Sequence, residues 1–248
     1  SLLLAGISCI VALPLAAQGD LNIHGALSQG YILSDGNNLL GDSRSGSRDL
    51  YELAVNGRHR LRPDLVASGQ LTARRAGASD DGRLRVDFAQ LDYRPWQTPQ
   101  GHVGLRLGKV KNAYGLYNDS RDVVFSRPGI RMPTAIYFGD TSLRDLLFSA
   151  EGGQLHATRL DQLRTTEFQV SIARPYDATD SFRREFGAAI ENGRVEVRDF
   201  ISARLLQELD AGQTRLAFSY IRADLEFQSD DPSLAALATG IEADIYAL

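Results

Sequence analysis

Along most of the chain, apolar and polar side chains alternate with a period of two. After Gly19, the residues Leu21, Ile23, Leu27, Tyr31 and Leu33 fall on one phase. Asn22, His24, Ser28 and Ser34 fall on the other, with the small Ala26 and Gly30 between them. A strand sends successive side chains to opposite faces, so this spacing predicts a strand with one apolar and one polar face. The pattern returns further on. Tyr51, Leu53, Val55 and Leu61 alternate with Glu52, Asn56, Arg58 and Arg60, and a turn at Arg62-Pro63-Asp64 follows. Leu65, Ala67, Leu71 and Ala73 then alternate with Ser68, Gln70, Thr72 and Arg74. Leu84, Val86 and Phe88 stand against Arg83, Arg85 and Asp87, and Val103, Leu105 and Leu107 against His102, Arg106 and the small Gly104 and Gly108. Further strands are expected over 146–158, 165–173, 183–191, 194–206, 214–227 and 239–248, with Asn192-Gly193 as a hairpin turn. Ser142 to Phe148 also suits a helical turn.

The span 21–33 exceeds the roughly 5–6 residues of a globular strand and suits a tilted membrane strand of about 9–11 residues. The connections alternate in length. Those at 34–48, 76–82, 111–145 and 174–181 form one set, the upper loops. Those at 62–64, 94–101, 159–164 and 192–193 form the other, the lower turns. Long loops outside and short turns in the periplasm are the arrangement of outer-membrane barrels. Residues 207–213 break the rule, being a short connection where an upper loop is due. The pattern yields about eleven strands. That number is odd, whereas bacterial barrels have even counts, and the chain stops at Ile245-Tyr246-Ala247-Leu248 within a strand pattern. The expected fold is therefore all-β: an antiparallel up-and-down transmembrane β-barrel, incomplete, holding about eleven strands of a larger barrel of about 16. Residues 18–248 would be that barrel domain, truncated at its C-terminus.

Composition changes the picture little. Hydrophobic residues make up 43% and charged residues 23%, ordinary values for a soluble protein. No run after residue 17 has the roughly 20 apolar residues of a spanning helix, so a mature chain in a membrane has to cross as a closed barrel. The net charge of −4 argues against a nucleic-acid binder, which shows a concentrated basic face. Leu2 to Ala17 reads LLLAGISCIVALPLAA, apolar and uncharged, and ends in small residues. It reads as the core of a secretory leader, so residues 1–17 are expected to be a signal-peptide remnant without its methionine and basic start. The mature chain would begin between Gln18 and Asp20. A membrane anchor fits less well, because the run is short, is broken by Pro14 and lacks a charged stop. Gly6-Ile7-Ser8-Cys9 makes a poor lipobox, and beyond Cys9 no cysteine is left for a disulfide or a thiolate metal site.

Candidate chemistry is sparse. His24, His59, His102 and His156 are scattered without metal-ligand spacing. The glycines lack the strand–loop–helix setting of a phosphate loop, and Ser149 lies in no nucleophile-elbow sequence. Asp80-Asp81 and Asp230-Asp231 read as solvated turns rather than calcium ligands. No enzyme, cofactor or metal is expected. Trp96, with Tyr93 and Pro95, sits at a lower strand end and suits an aromatic girdle. Arg58, Arg60, Arg74, Arg83, Arg85 and Arg106 lie on polar phases and are expected to face a water-filled interior.

The segment 111–145 is long for a connection, and such loops are functional or disordered. Tyr114, Tyr117, Phe125, Ile130, Met132, Tyr137 and Phe138 give it too much apolar surface for disorder. It runs on from the stretch Gly108-Lys109-Val110-Lys111-Asn112-Ala113-Tyr114-Gly115-Leu116-Tyr117-Asn118-Asp119-Ser120-Arg121-Asp122. That stretch, with Ser142-Leu143-Arg144-Asp145-Leu146 and the opening Leu21 to Leu33, resembles a family of Gram-negative outer-membrane porins. The specific part of the resemblance covers about forty residues. It implies a third external loop, 112–141, folded into the lumen and narrowing it, in a pore for passive diffusion of small polar solutes or ions. Charges lining such a passage set which ions pass, so the candidate constriction is Arg106, Asp119, Arg121, Asp122, Arg127 and Arg131, with Asp119 and Asp122 as the nearest acidic partners of the loop arginines. The implied location is the outer membrane, the implied partners are its lipid and lipopolysaccharide, and a homotrimer is compatible. A barrel enzyme of the lipid-hydrolase type and a soluble periplasmic β-sandwich are the alternatives.

Overall fold

The computed structural model describes residues 9–18, 20–36, 42–77, 80–121, 127, 137, 144–174, 176–186, 193–229 and 240–247. The strands are β1 (Cys9–Gln18), β2 (Leu21–Ile32), β3 (Ser47–Arg62), β4 (Leu65–Ala76), β5 (Asp81–Thr98) and β6 (Gly101–Lys111). After them come β7 (Ser149–Asp161), β8 (Arg164–Ala173), β9 (Tyr176–Asp177), β10 (Gly193–Leu209), β11 (Thr214–Ser229) and β12 (Gly240–Ala247). They form one sheet in which each strand lies beside its neighbours in sequence, β9 alone standing off the path against β10. Every pairing is antiparallel. The path runs from β1 to β12, and among the described residues these two edges do not pair. The fold is thus a barrel-like, all-antiparallel sheet that is not closed. Two short helices interrupt it, α1 (Arg144–Phe148) and α2 (Thr179–Phe186).

Alternation decides what each face carries. Leu27, Tyr31, Leu53, Val55, Leu71, Val86, Leu105, Phe168, Ile201, Leu205 and Phe218 are exposed. On the opposite face Glu52, Gln70, Thr72, Arg74, Gln154, His156, Gln169, Ser171, Ser202, Arg204 and Ser219 are buried. At neighbouring β4 positions Leu71 is 45% exposed and Thr72 0%. The sheet is therefore polar on its enclosed face and apolar on its open one. Toward the upper strand ends the apolar belt gives way to ion pairs, Arg75–Asp49, Arg174–Glu151, Arg198–Glu226 and Arg222–Glu242 among them.

Several expectations need correction. The described part of the strand expected over 183–191, residues 183–186, is helical. Residues 179–186 are helix α2, and 187–192, with Asn192 of the expected turn, lie outside the described residues. The Asp177 carboxylate accepts the Thr179 N–H at 2.8 Å and starts the helix, and the run Arg183-Arg184-Glu185 has no apolar alternate. The segment 174–192 is then a single upper excursion, and the short link at 210–213 becomes a lower turn, which removes the expected exception. Of the apolar stretch expected as a leader, Cys9–Gln18 stands as β1 at the sheet edge, which does not bear on whether it is cleaved; it is registered on β2 from Cys9–Gln29 to Gln18–Leu21, with a shift between Pro14 and Ala16. A proline has no N–H for a ladder, which accounts for the irregularity there. Phe88 was placed on the apolar phase, yet it is buried inside. Gln70 pairs with Phe88 and Leu71 with Val86, so Asp87 is the extra residue of a bulge, and both Asp87 and Phe88 turn inward.

Above the polar interior lies an apolar cluster. Val195, Val197 and Phe200 of β10 and Ile221 and Ala223 of β11 pack with Tyr114, Tyr137, Leu147 and Ala178, and Phe182 of α2 joins them. The excursions after β6 and β8 are held there, over the upper mouth of the sheet.

A Cβ on Gly152 would press into the Ile172 carbonyl of β8, whereas one on Gly57 would meet nothing. Gly152→Ala is expected to lower the unfolding free energy by about 1–3 kcal/mol through overpacking, read by urea unfolding followed by the fluorescence of Trp96, the chain's single tryptophan. Gly57→Ala is expected to leave it unchanged, and equal effects at both positions would rule out the β7–β8 register.

Candidate functional site

The inner face is built in rows, because registered residues of adjacent antiparallel strands share a face. One row runs Asp92, Arg106, Gln154, Ser171 and Ser202 across β5 to β10. The next runs Gly104, His156, Gln169, Arg204 and Ser219 across β6 to β11. Along each strand these side chains are two residues apart, as alternation requires.

The chain leaves β6 at Lys111 and turns inward over these rows. The Ala113 N–H donates to Ser202 Oγ at 3.1 Å and the Gly115 N–H to Ser219 Oγ at 2.9 Å. Arg204 is almost wholly buried. It donates to the Gly115 carbonyl at 3.0 Å and to Gln169 Oε1 at 3.1 Å, and it pairs with Asp119. Asn118 Nδ2 donates to the Asn112 and Phe148 carbonyls at 2.7 and 3.1 Å, closing the base of the loop. Gly115 has φ +59, and a Cβ there would run against the Tyr137 ring, whose hydroxyl accepts the Tyr117 N–H at 2.9 Å. Burial alone would raise the Asp119 carboxyl, but Arg204, Arg106 and Lys111 outweigh it and hold it below its ordinary value. A carboxyl depressed in this way stabilises the fold above the ordinary carboxylate range and loses that contribution as pH falls through the lowered value, so the anchor holds at neutral pH.

Two ion networks flank the loop. Toward the upper end, Asp80 pairs with Arg74 at 2.8 Å and Arg85 at 2.7 Å, Glu52 with Arg127 at 2.5 Å, and Asp87 with Arg144 at 3.4 Å. Thr72 Oγ1 and Gln70 Nε2 also donate to Asp87. Toward the lower end, Asp92 meets His156 Nε2 at 2.9 Å, Arg94 at 2.6 Å and Arg106 at 3.5 Å. Between the networks lies a cleft of about 430 Å³ bounded by strands as far apart as β4, with Ser68, and β11, with Arg215. Its charged lining is Arg94, Arg106, Lys111, Arg204 and Arg215 against Asp119 and Glu167.

Of the six candidate constriction residues, Arg106 and Asp119 reach this cleft. Arg121 is buried in the loop, donating to Asn118 Oδ1 and the Tyr137 carbonyl, each at 3.2 Å. Arg127 crosses to Glu52 of β3. Asp122 and Arg131, like Phe125 and Phe138 of the expected aromatic packing, lie outside the described residues. Of the acidic partners expected across or within the loop, Arg127 finds one across it, Glu52 of β3, while Asp119, the nearest in sequence, takes Arg204 of β10. Of the other arginines expected inside, Arg74 and Arg85 are buried or half-buried there. Arg58 and Arg60 share the phase but are exposed at the lower end, and Arg83 is exposed at the upper end beside Asp81. Sequence reasoning missed Arg204, Lys111 and Arg94. Arg204 carries a readable signal, since it sits two residues from Ser202 on the polar phase of an expected strand. It also treated the histidines as isolated, whereas His102 and His156 meet edge to face at 5.3 Å. Gly104 makes the room, because a Cβ there would collide with the His156 ring.

No model of a known protein family, no curated protein and no solved structure matches this chain.

Arg204→Met leaves Asp119 without its main cation. Breaking one half of a buried pair costs about 3–5 kcal/mol. Asp119 keeps 35% of its side chain open to the cleft, which puts the cost at the low end. The loop should open more often, so trypsin should cut after Lys111 and Arg121 about a hundredfold faster than in the unaltered protein. Cleavage at the original rate would remove Arg204 as the anchor.

Proposed function

We propose that the chain is the barrel of an outer-membrane porin that lets small polar solutes or ions diffuse through a lumen narrowed by the loop after β6. The observation that carries this reading is the inversion of the two faces. In water, an exposed belt such as Leu53, Leu71, Leu105 and Phe218 forfeits its burial energy, about 25 cal/mol per Å². Against hydrocarbon it forfeits nothing, and the polar face is left for water. The long strands and the alternation of long upper and short lower connections support the same reading. Trp96, Phe168 and Phe218 lie in one registered row on the outer face near the lower turns, as a girdle at a membrane interface would.

The reading carries export to the outer membrane, with residues 1–17 as a leader. A strand on the sheet edge can be lost with one cut and one ladder. It also places lipid and lipopolysaccharide around the belt, and with β1 removed a barrel of about 16 strands would close between the edges β2 and β12. A soluble β-sandwich would bury apolar faces between two sheets, whereas the described strands make one sheet around a polar interior. No particular contact favours a barrel enzyme.

Inside, the loop occupies the upper lumen and leaves the cleft as the passage. Asp92 serves Arg94 and Arg106, Glu208 serves Arg215, and Asp119 and Glu167 serve Arg204, so with Lys111 the cleft's five cations exceed these four carboxylates by one. Such a lining concentrates anions.

The full-length protein in planar bilayers is expected to form channels with a reversal potential on the anion side in a KCl gradient. Arg94→Gln with Arg106→Gln should move it toward cations, and deleting 118–138 should raise the conductance. Arg121 and Arg127 are committed to packing, so their replacement should act through loop order rather than charge. A protein that forms no channels is not a porin.

The lipid-facing side is tested separately. Leu105→Arg, on the outer face, is expected to cost about 2–4 kcal/mol in a bilayer, measured by urea unfolding from lipid vesicles. Ser28→Arg should cost far less, because Ser28 is only half-buried on the opposite phase. Gln70 and Thr72, on that phase too, are packed against Asp87 and will not tolerate an arginine. Equal costs at Leu105 and Ser28 would count against the bilayer.

A further inference from the structure

We infer that the outer wall carries a docking groove for the phosphate-monoester headgroup of a membrane lipid, between β5, β6, β7 and the upper end of β8. The inference rests on the membrane reading above. A cavity of about 620 Å³ opens there on the outside of the sheet. Its floor is made of small residues, Ala89, Gly108 and Gly152, with Val86 beside them. Gly108 and Gly152 are partners in register on the row that continues to Ala173 and Phe200 of the enclosed face, so toward the outside they offer only backbone.

Its charges give the occupant. Lys109 and Arg174 present their charges there against a single carboxylate, Glu151, while Arg85 borders the groove with its guanidinium turned to the enclosed face. Arg85 is engaged with Asp80 and Asp87, and Glu151 with Arg174. Lys109 Nζ donates to the Val86 carbonyl oxygen at 2.6 Å, and among the described residues no carboxylate pairs with it. Arg174 follows the last residue of β8 and is 71% exposed, so its guanidinium is free to turn from Glu151 to a stronger acceptor. Two residues below these cations on the same face stand Leu107 and Ile172, 53% and 61% exposed, in the apolar belt. Cations at the rim of an apolar belt, over a hollow with an apolar floor, match an amphiphile with an anionic head and acyl chains. Lysine and arginine both bind phosphate oxygens through charge-assisted hydrogen bonds. The groove therefore selects phosphorylated lipid over zwitterionic lipid.

Native mass spectrometry of the full-length protein from detergent, titrated with phosphatidic acid, phosphatidylcholine of the same chains, or inorganic phosphate, tests this. Phosphatidic acid should be retained about tenfold better than phosphatidylcholine, and inorganic phosphate not at all. Lys109→Gln with Arg174→Gln should abolish the preference, and Arg75→Gln, at another upper-rim pair, should leave it intact. Both side chains stand at the surface. Should the double variant not fold, the single Lys109→Gln variant should still weaken phosphatidic acid about threefold. Equal retention of the two lipids, or an unchanged preference in the variants, overturns the groove. Adducts with inorganic phosphate as strong as those with lipid overturn the lipid as its occupant. Flotation with phosphatidylcholine vesicles separates the two levels. A protein that does not float overturns the membrane reading itself, whereas one that floats but retains both lipids equally overturns only the groove.

Discussion

An unbroken antiparallel ladder leaves each residue only two directions, and everything else in this structure follows from that restriction. From β1 to β12 the backbone polar groups are consumed by neighbours in sequence, so the ladder carries no information about inside or outside. The side chains carry it. Leucine, valine and phenylalanine on one phase, and serine, glutamine, arginine and aspartate on the other, fix which face curls inward. A one-residue slip in any strand would exchange the faces of that strand, placing Leu71 among the carboxylates and Thr72 outside. Register is therefore strongly specified even though the interior is not a hydrophobic core.

A polar interior carries a cost of its own, because a buried charge without a partner is expensive. The sheet meets it with pairs drawn from different strands. Asp80 serves Arg74 and Arg85, Asp92 serves Arg94, Arg106 and His156, and Glu52 serves Arg74 and Arg127. The loop after β6 belongs to this network rather than lying on top of it. Its backbone amides satisfy serine hydroxyls of β10 and β11, and its Asp119 neutralises the guanidinium of Arg204. Removing the loop would leave Ser202, Ser219 and Arg204 to water. The described start of the loop is thus part of the satisfaction of the wall.

The strands and their faces were legible in the sequence because period two is a local property. Leu27, Tyr31, Leu53, Val55, Leu71, Val86 and Leu105, expected on the outside, are exposed. The inward turn of the loop was legible only through its aromatics and the resemblance, and Tyr114 and Tyr137 are indeed buried. What was not legible depends on non-local pairing. Nothing near Asp119 in sequence points to Arg204, and nothing near His102 points to His156. The second half of the helix, 183–186, falls in a segment expected as a strand, because its start depends on the Asp177 carboxylate and the Thr179 N–H rather than on any period in the side chains. Bulges were invisible too, since they leave composition unchanged and alter only the phase.

Those bulges shape the cleft. β5 shifts register twice. At Asp87 two successive side chains turn inward, giving Arg144 its carboxylate and placing the Phe88 ring under the Lys111 ammonium at 4.3 Å. At Arg94 and Pro95 a second shift lies between Tyr93 and Trp96, and a proline is tolerated where no ladder N–H is needed. That shift keeps Arg94 on the inner face beside Asp92 while Trp96 returns to the outside. A straight β5 would turn either Phe88 or Asp87 outward, and the upper and lower networks would lose their common wall. The cleft lies between these two irregularities, so its width is set by where the ladder of β5 departs from regularity, and its charge by the side chains those departures turn inward.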